Sequence, residues 1–460
     1  MLERVKNELN ERTKNQRVKV ERLQQAVIYQ LNRWNNRAAL ISVIILKLVM
    51  DFFFIKVVAN IYGYYDYYRV DPNAGKYIVS WIICILLWGM MPKEESIKAF
   101  FLHVQFILLI MPMLTLYAFT PDRSTIYMLV VTVAIIIESF LLTRKKRKYK
   151  PFKIKEISEF VSVFFCFFIP LMLALIWSYG GFSGLEAFDL DKLYEIRAAA
   201  EYPAAMSYII SWLTITIIPF YIVYCLDNRK YGIAVVLLMI DIFLYMILAH
   251  KMIYLSLIVI VGVYILAKSG HLVKLMYIGM IGLLILLTGM FFIEKNTSTA
   301  TLMGVSFVGN RFLFGSATNK FFFYDFFSQY PKIHFSDGMI GKMLGMTNLY
   351  GYPSGQIIYG FVTEGGLGLS NSNTGYLGDG YAQAGIVGII ACAVVLAYII
   401  DYISTYDEKI SFAVLAPMVA LYVIVLADVA LTTVLLTSGL FIFIVLLAIY
   451  ARENSERGKL

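Results

Sequence analysis

Three basic residues sit where a very apolar chain has few reasons to put them: Arg197 in LYEIRAAAEYP, Lys251 in LMIDIFLYMILAHKMIYLSLIVIVGVYIL, and Arg311 in VGNRFLFGSATNKFFFYDFF. Guanidinium groups clamp phosphate oxygens through paired hydrogen bonds, and Lys adds a point charge. Such a trio would suit a pyrophosphate held at a bilayer surface. Each also has a plainer reading. Lys251 snorkels at a helical turn, Arg197 pairs with Glu195 or Glu201, and Arg311 pairs with Asp325. General-base candidates on the same side are His334, Asp337, Glu364 and Asp379, with Glu195 and Asp325 behind them. Tyr350, Tyr352, Tyr359, Tyr376 and Tyr381 offer flat faces for sugar C–H groups. Asn371, Asn373, Asp379 and Gln383 offer partners for hydroxyls. The plainer reading of these is an interfacial aromatic belt with turn-forming residues. No HExxH pattern or Cys/His set suggests a metal, and no phosphate-binding Gly loop or dinucleotide fingerprint suggests a cofactor.

The elements that must position these groups are membrane helices. The chain has 460 residues, is 60% hydrophobic, and has a mean hydropathy of +0.71. Apolar runs near the length that crosses ~30 Å of hydrocarbon recur throughout. The expected fold is an all-α polytopic membrane protein of about twelve transmembrane helices with a large, partly helical external loop region. Spans are expected near 38–61, 77–91, 99–119, 125–142, 157–178, 204–226, 232–249, 252–267, 274–293, 381–404, 410–427 and 430–450. Residues 1–37 read as a cytoplasmic, basic amphipathic leader or a plain solvated helix, and 38–460 as one integral membrane domain. The net charge of +9 invites a nucleic-acid reading. The basic residues instead gather on the leader's side, above all in Arg144 to Lys155, which makes them a topology signal. Both termini are then cytoplasmic, and the external loops are about 179–203 and 294–380. The four cysteines, Cys84, Cys166, Cys225 and Cys392, fall inside apolar runs and read as core residues. His103 reads as a buried, hydrogen-bonded histidine. Lys47 and Asp51, four apart in the first span, read as a pair on one helix face, with an ion pathway as the alternative.

The external region ends in Asn371-Ser372-Asn373-Thr374-Gly375-Tyr376, then Gly380-Tyr381-Ala382 and Gly385-Ile386-Val387-Gly388. With basic loops on one side and Arg-bearing loops on the other, this pattern resembles the bacterial oligosaccharide repeat-unit polymerases, or O-antigen polymerases of the Wzy type. The resemblance extends over most of the chain with few strong matches, and the family's Arg-to-Gly spacing is not found after Arg197 or Arg311. It implies an inner-membrane glycosyltransferase of O-antigen, capsule or exopolysaccharide assembly. The growing glycan would pass from undecaprenyl pyrophosphate to the non-reducing end of a new lipid-linked unit, on the external face. Arg197, Lys251 and Arg311 would grip the pyrophosphate; Asn371, Asn373 and Tyr376 would contact glycan; and His334, Asp337 or Asp379 would act as the base. The donor bond carries the energy, so neither metal nor cofactor is implied. Membrane lipid is a partner, and a chain-length regulator and a flippase are possible ones; nucleic acid is not. The alternatives are a lipid-linked oligosaccharide flippase and a ligase-like glycan transferase.

Overall fold

The computed structural model describes residues 36–144, 172–179, 186, 196, 203–250, 252–294 and 298–457, and every regular element among them is helical. In chain order, the apolar helices that precede residue 294 are α1 (Arg37–Tyr62), α2 (Ala74–Met90), α3 (Ile97–Phe119), α4 (Thr125–Thr143), α5 (Ala205–Asp227), α6 (Tyr231–Leu248), α7 (Ile253–Ala267) and α8 (Leu272–Ile293). Two more long apolar stretches, Gly375–Tyr406 and Leu431–Arg452, and the shorter Phe412–Asp428 follow. Eight of these stretches are long and apolar enough to cross a membrane, which indicates a multi-pass membrane protein. Each expected span except the fifth coincides with one of them. That one, like the leader, Cys166, Arg197 and Lys251, lies wholly or mostly outside the described residues.

Local chemistry sets the helix ends. The side chains of Asn73, Ser96 and Ser124 accept from backbone N–H groups three residues on, capping α2, α3 and α4. Pro112 and Pro219 lack the N–H that would continue an α-helical ladder, and each lies two residues past the end of a widened π-helical segment, Phe106–Ile110 and Trp212–Ile217. The centre of the bundle is α3, 94% buried in its most apolar window. There His103 bonds the hydroxyl of Tyr277 and the carbonyl of Pro92 at 2.9 and 3.0 Å, as a structural histidine should. Lys47 reaches both carboxylate oxygens of Asp51 at 2.5 and 2.7 Å, and Thr115 donates to the same carboxylate at 2.6 Å. Both charges are buried, so the i,i+4 spacing forms a fully paired structural bridge.

The region expected to be large and partly helical contains a long helix. Residues 299–329 form a continuous helix, α9, widened over Val305–Phe314 and opened by Ser298 as its cap. It packs into one end of the bundle. Gly309 meets Phe53 and Val58 of α1, and Asn310 accepts from Tyr68 at 2.9 Å. Phe321 and Tyr324 lie on Tyr127, in the first turn of α4. Buried Arg123 donates to the carbonyl of Tyr67 and faces Asp325 at 3.9 Å. Burial raises the Asp325 carboxyl to about 6 against the pull of Arg123. Hydropathy misses α9 because polar residues lower its mean, and Asn310, Lys320 and Asp325 among them find partners inside the bundle.

The following elements are α10 (Met339–Met343), α11 (Ser354–Val362), α12 (Gly375–Ile403), α13 (Phe412–Asp428), α14 (Leu431–Leu436) and α15 (Leu440–Arg457). In α12 the chain folds back on itself. Ala384 and Gly385 leave the helical region, Gly385 with φ 64°. A Cβ on Gly388 would lie 2.8 Å from the carbonyl carbon of Gly380, and one on Gly380 would lie 3.2 Å from Cys392 Sγ. In a straight helix residues 8 and 12 apart are separated by about 12 and 18 Å. Residues 375–383 and 386–403 are therefore antiparallel arms of a helical hairpin, closed by glycines that let two backbones touch.

Candidate functional site

A cavity of about 590 Å³ opens beside the short arm of this hairpin. Five pieces of chain wall it: the turn Phe335–Gly338, the start of α11 at Pro353–Gly355, the polar run Asn371–Thr374, the short arm through Asp379 and Gln383, and the α13–α14 break. Tyr208 of α5 completes the rim. Non-helical backbone at such a place is sustained only where polar groups are paired or face a wet cavity.

Glycine makes the floor possible. Gly375 has φ 58°, and a Cβ there would lie 2.5 Å from the carbonyl oxygen of Ala427 and 2.6 Å from Lys320 Nζ. Lys320 is fully buried; it bonds the Ala427 carbonyl, where α13 ends, and Ser316 Oγ at 3.2 Å. A cation on the unsatisfied carbonyls of a helix C-terminus opposes the negative end of the macrodipole. Burial lowers the Lys320 ammonium to about 8, and the Asp428 carboxylate opposes that shift.

Gln383 ties the site together. Its Nε2 donates to Asp337 Oδ1 at 3.0 Å and to Asp379 Oδ1 at 3.1 Å, while its Oε1 accepts from the Phe335 N–H at 2.6 Å. The hairpin tip also accepts from Ile333 and His334 N–H groups through the carbonyls of Ala382 and Gln383. These bonds hold two successive non-glycine residues, His334 (φ 55°) and Phe335 (φ 62°), in the left-handed region. Backbone strain of this kind persists where the surroundings over-determine it. The second oxygen of Asp337 accepts from Ser354 N–H at 3.0 Å, at the start of α11. Asp337 is thereby used on both sides, as a helix cap and a hairpin anchor. Asp379 is 5% exposed and lines the cavity, and no described residue donates to its Oδ2.

The structure sorts the expected site residues. Asp337, Asp379, Asn371 and Asn373 come together on the cavity wall. His334 is exposed and does not line it. Tyr376, expected to touch glycan, is buried instead: its hydroxyl receives a hydrogen bond from Gln105 Nε2 and donates to Glu138 Oε1 at 3.2 Å. Its position on the short arm turns it into the bundle. Arg311, expected in a pyrophosphate grip, does not reach this cavity and lies near Tyr254 of α7. Asp428, Thr432, Thr433 and Thr437 were not anticipated. Their signal was an acid and three threonines interrupting the apolar run LADVALTTVLLTSG. Cys84, Cys225 and Cys392 are free thiols, and no described His, Cys, Asp and Glu side chains group as a metal site. No protein-family model, curated protein or solved structure matches the chain.

Proposed function

We propose that this protein extends a glycan at a membrane surface, taking an oligosaccharide from a polyprenyl-diphosphate carrier and joining it to a lipid-linked acceptor unit. Its best support is Asp379: a carboxylate oriented by Gln383, otherwise buried, on the wall of a polar cavity inside a membrane bundle. Amides of Asn371 and Asn373 and hydroxyls of Thr432 and Thr433 give that wall partners for sugar hydroxyls. In this reading Asp379 accepts the proton of the attacking hydroxyl as that oxygen bonds the donor sugar's anomeric carbon and the diphosphate departs. Asp337, with both oxygens engaged, positions rather than reacts. The diphosphate's counter-charges are assigned to Arg197 and Lys251, as the sequence pattern suggests, and Arg311 has no part at the cavity.

Purified protein incubated with a single lipid-linked repeat unit should produce a ladder of longer glycans without any second acceptor. Asp379→Asn keeps the Gln383 contact, removes the base, and should lower chain growth by ~10²-fold or more. Undiminished ladders from that variant would remove Asp379 from the chemistry. Transport of the unit without chain growth would replace the polymerase reading by a flippase.

A further inference from the structure

We infer that the sugar seated in this cavity is neutral or carries an amino group, and that sugars bearing a carboxylate, phosphate or sulfate there are disfavoured. The inference rests on the glycan reading above and narrows its substrate class. Three carboxylates, Asp337, Asp379 and Asp428, line the cavity, and among the described residues no Lys or Arg does. The nearest buried cation, Lys320, stays behind the floor with its ammonium on Ala427 and Ser316. It tempers Asp428 without presenting a donor to the cavity.

Hydrogen-bond accounting points the same way. Asp379 receives its one side-chain hydrogen bond on Oδ1, from Gln383, and no described residue donates to its Oδ2; Asp428 Oδ1 also lacks a donor but is closed off from the cavity. Gln383, which could have offered an N–H to a ligand, spends its Nε2 on two carboxylates. Beside the amides of Asn371 and Asn373 and the hydroxyls of Thr432 and Thr433, which donate as well as accept, the cavity's charged groups are acceptors only. A hydroxyl, an acetamido N–H or an ammonium satisfies an acceptor; a carboxylate or phosphate brings more acceptors and a like charge. Buried acceptors left unpaired and like charges set side by side both weaken binding substantially, and a group of the wrong sign meets both effects at once.

The test uses full-length protein in detergent and trisaccharides whose terminal residue alone varies: glucose, glucosamine or glucuronate. Binding is read by calorimetry and chain growth by the ladder assay on the corresponding lipid-linked units. Glucosamine and glucose termini should bind, with glucuronate weaker by at least about tenfold. Asp428→Asn should shrink the glucuronate penalty, and the gap should narrow with added salt. Equal binding of glucuronate and glucose, an unchanged ratio in Asp428→Asn, or no binding of any of the three overturns the inference. Ordered binding without ladders would instead remove the polymerase reading and leave the selectivity of the cavity standing.

Discussion

Gly388→Ala tests whether the hairpin of α12 shapes the cavity. A methyl at position 388 would lie 2.8 Å from the carbonyl carbon of Gly380 and 3.2 Å from Ala384 Cβ. Carbon atoms rest about 3.5–4.0 Å apart and the Gly380 carbonyl oxygen lies closer still, so the two arms must separate by at least about 0.7–1.2 Å. The obstacle is backbone, which has no rotamer to change. Overpacking of this kind costs about 1–3 kcal/mol and sometimes more. The short arm that moves carries Asp379 and Gln383. Displacing a reacting group by ~1 Å costs on the order of 10²-fold in rate. Three readings should change together: the melting temperature in detergent falls, chain growth drops by that order, and Cys392, beneath Gly380, reacts faster with a small thiol reagent. Gly279→Ala and Gly282→Ala in α8 are the controls. No atom lies within 4 Å of a Cβ at either place, so they should be neutral or stabilising by about 0.5–1 kcal/mol. Wild-type melting and Cys392 reactivity in Gly388→Ala would refute the antiparallel hairpin, whatever the activity.

Two further outcomes follow from buried charges. Lys47→Met alone strands the Asp51 carboxylate in the core and should cost about 3–5 kcal/mol, whereas Lys47→Met with Asp51→Leu should recover most of the loss, apart from the Thr115 hydroxyl left without its acceptor; melting curves of the full mutant cycle decide it, and a single variant as stable as wild type would show the pair to be dispensable. Glu95, in the turn before α3, accepts from Val273 N–H at 3.1 Å, and burial raises its carboxyl to about 7. The folded state holds that proton more tightly than the unfolded one, so stability should decline as pH rises from about 4.5 to 7, and Glu95→Gln should flatten that decline by ~1–2 kcal/mol once partial exposure is discounted; identical stability profiles for the two proteins between pH 5 and 8 would contradict it.

The amino-acid sequence by itself determined where the apolar helices run and much of how they begin, because hydrocarbon length and capping chemistry are local properties. It also determined the Lys47–Asp51 pair, since four residues is one helical turn, and the structural role of His103. It did not reveal that the Gly375–Tyr406 stretch reverses direction. Hydropathy sums composition along a window and carries no sign for the direction of the chain; the reversal depends on Gly380, Gly385 and Gly388 meeting across the hairpin. Nor could spacing decide which polar residues share a wall. Asn371, Asp379 and Asp428 meet only because the α13 break, capped by Lys320, packs against the start of the short arm. The same packing turns Tyr376 inward and leaves Arg311 against a different helix, so residue types suited to one site were separated by tertiary contacts that act over distances no local pattern encodes.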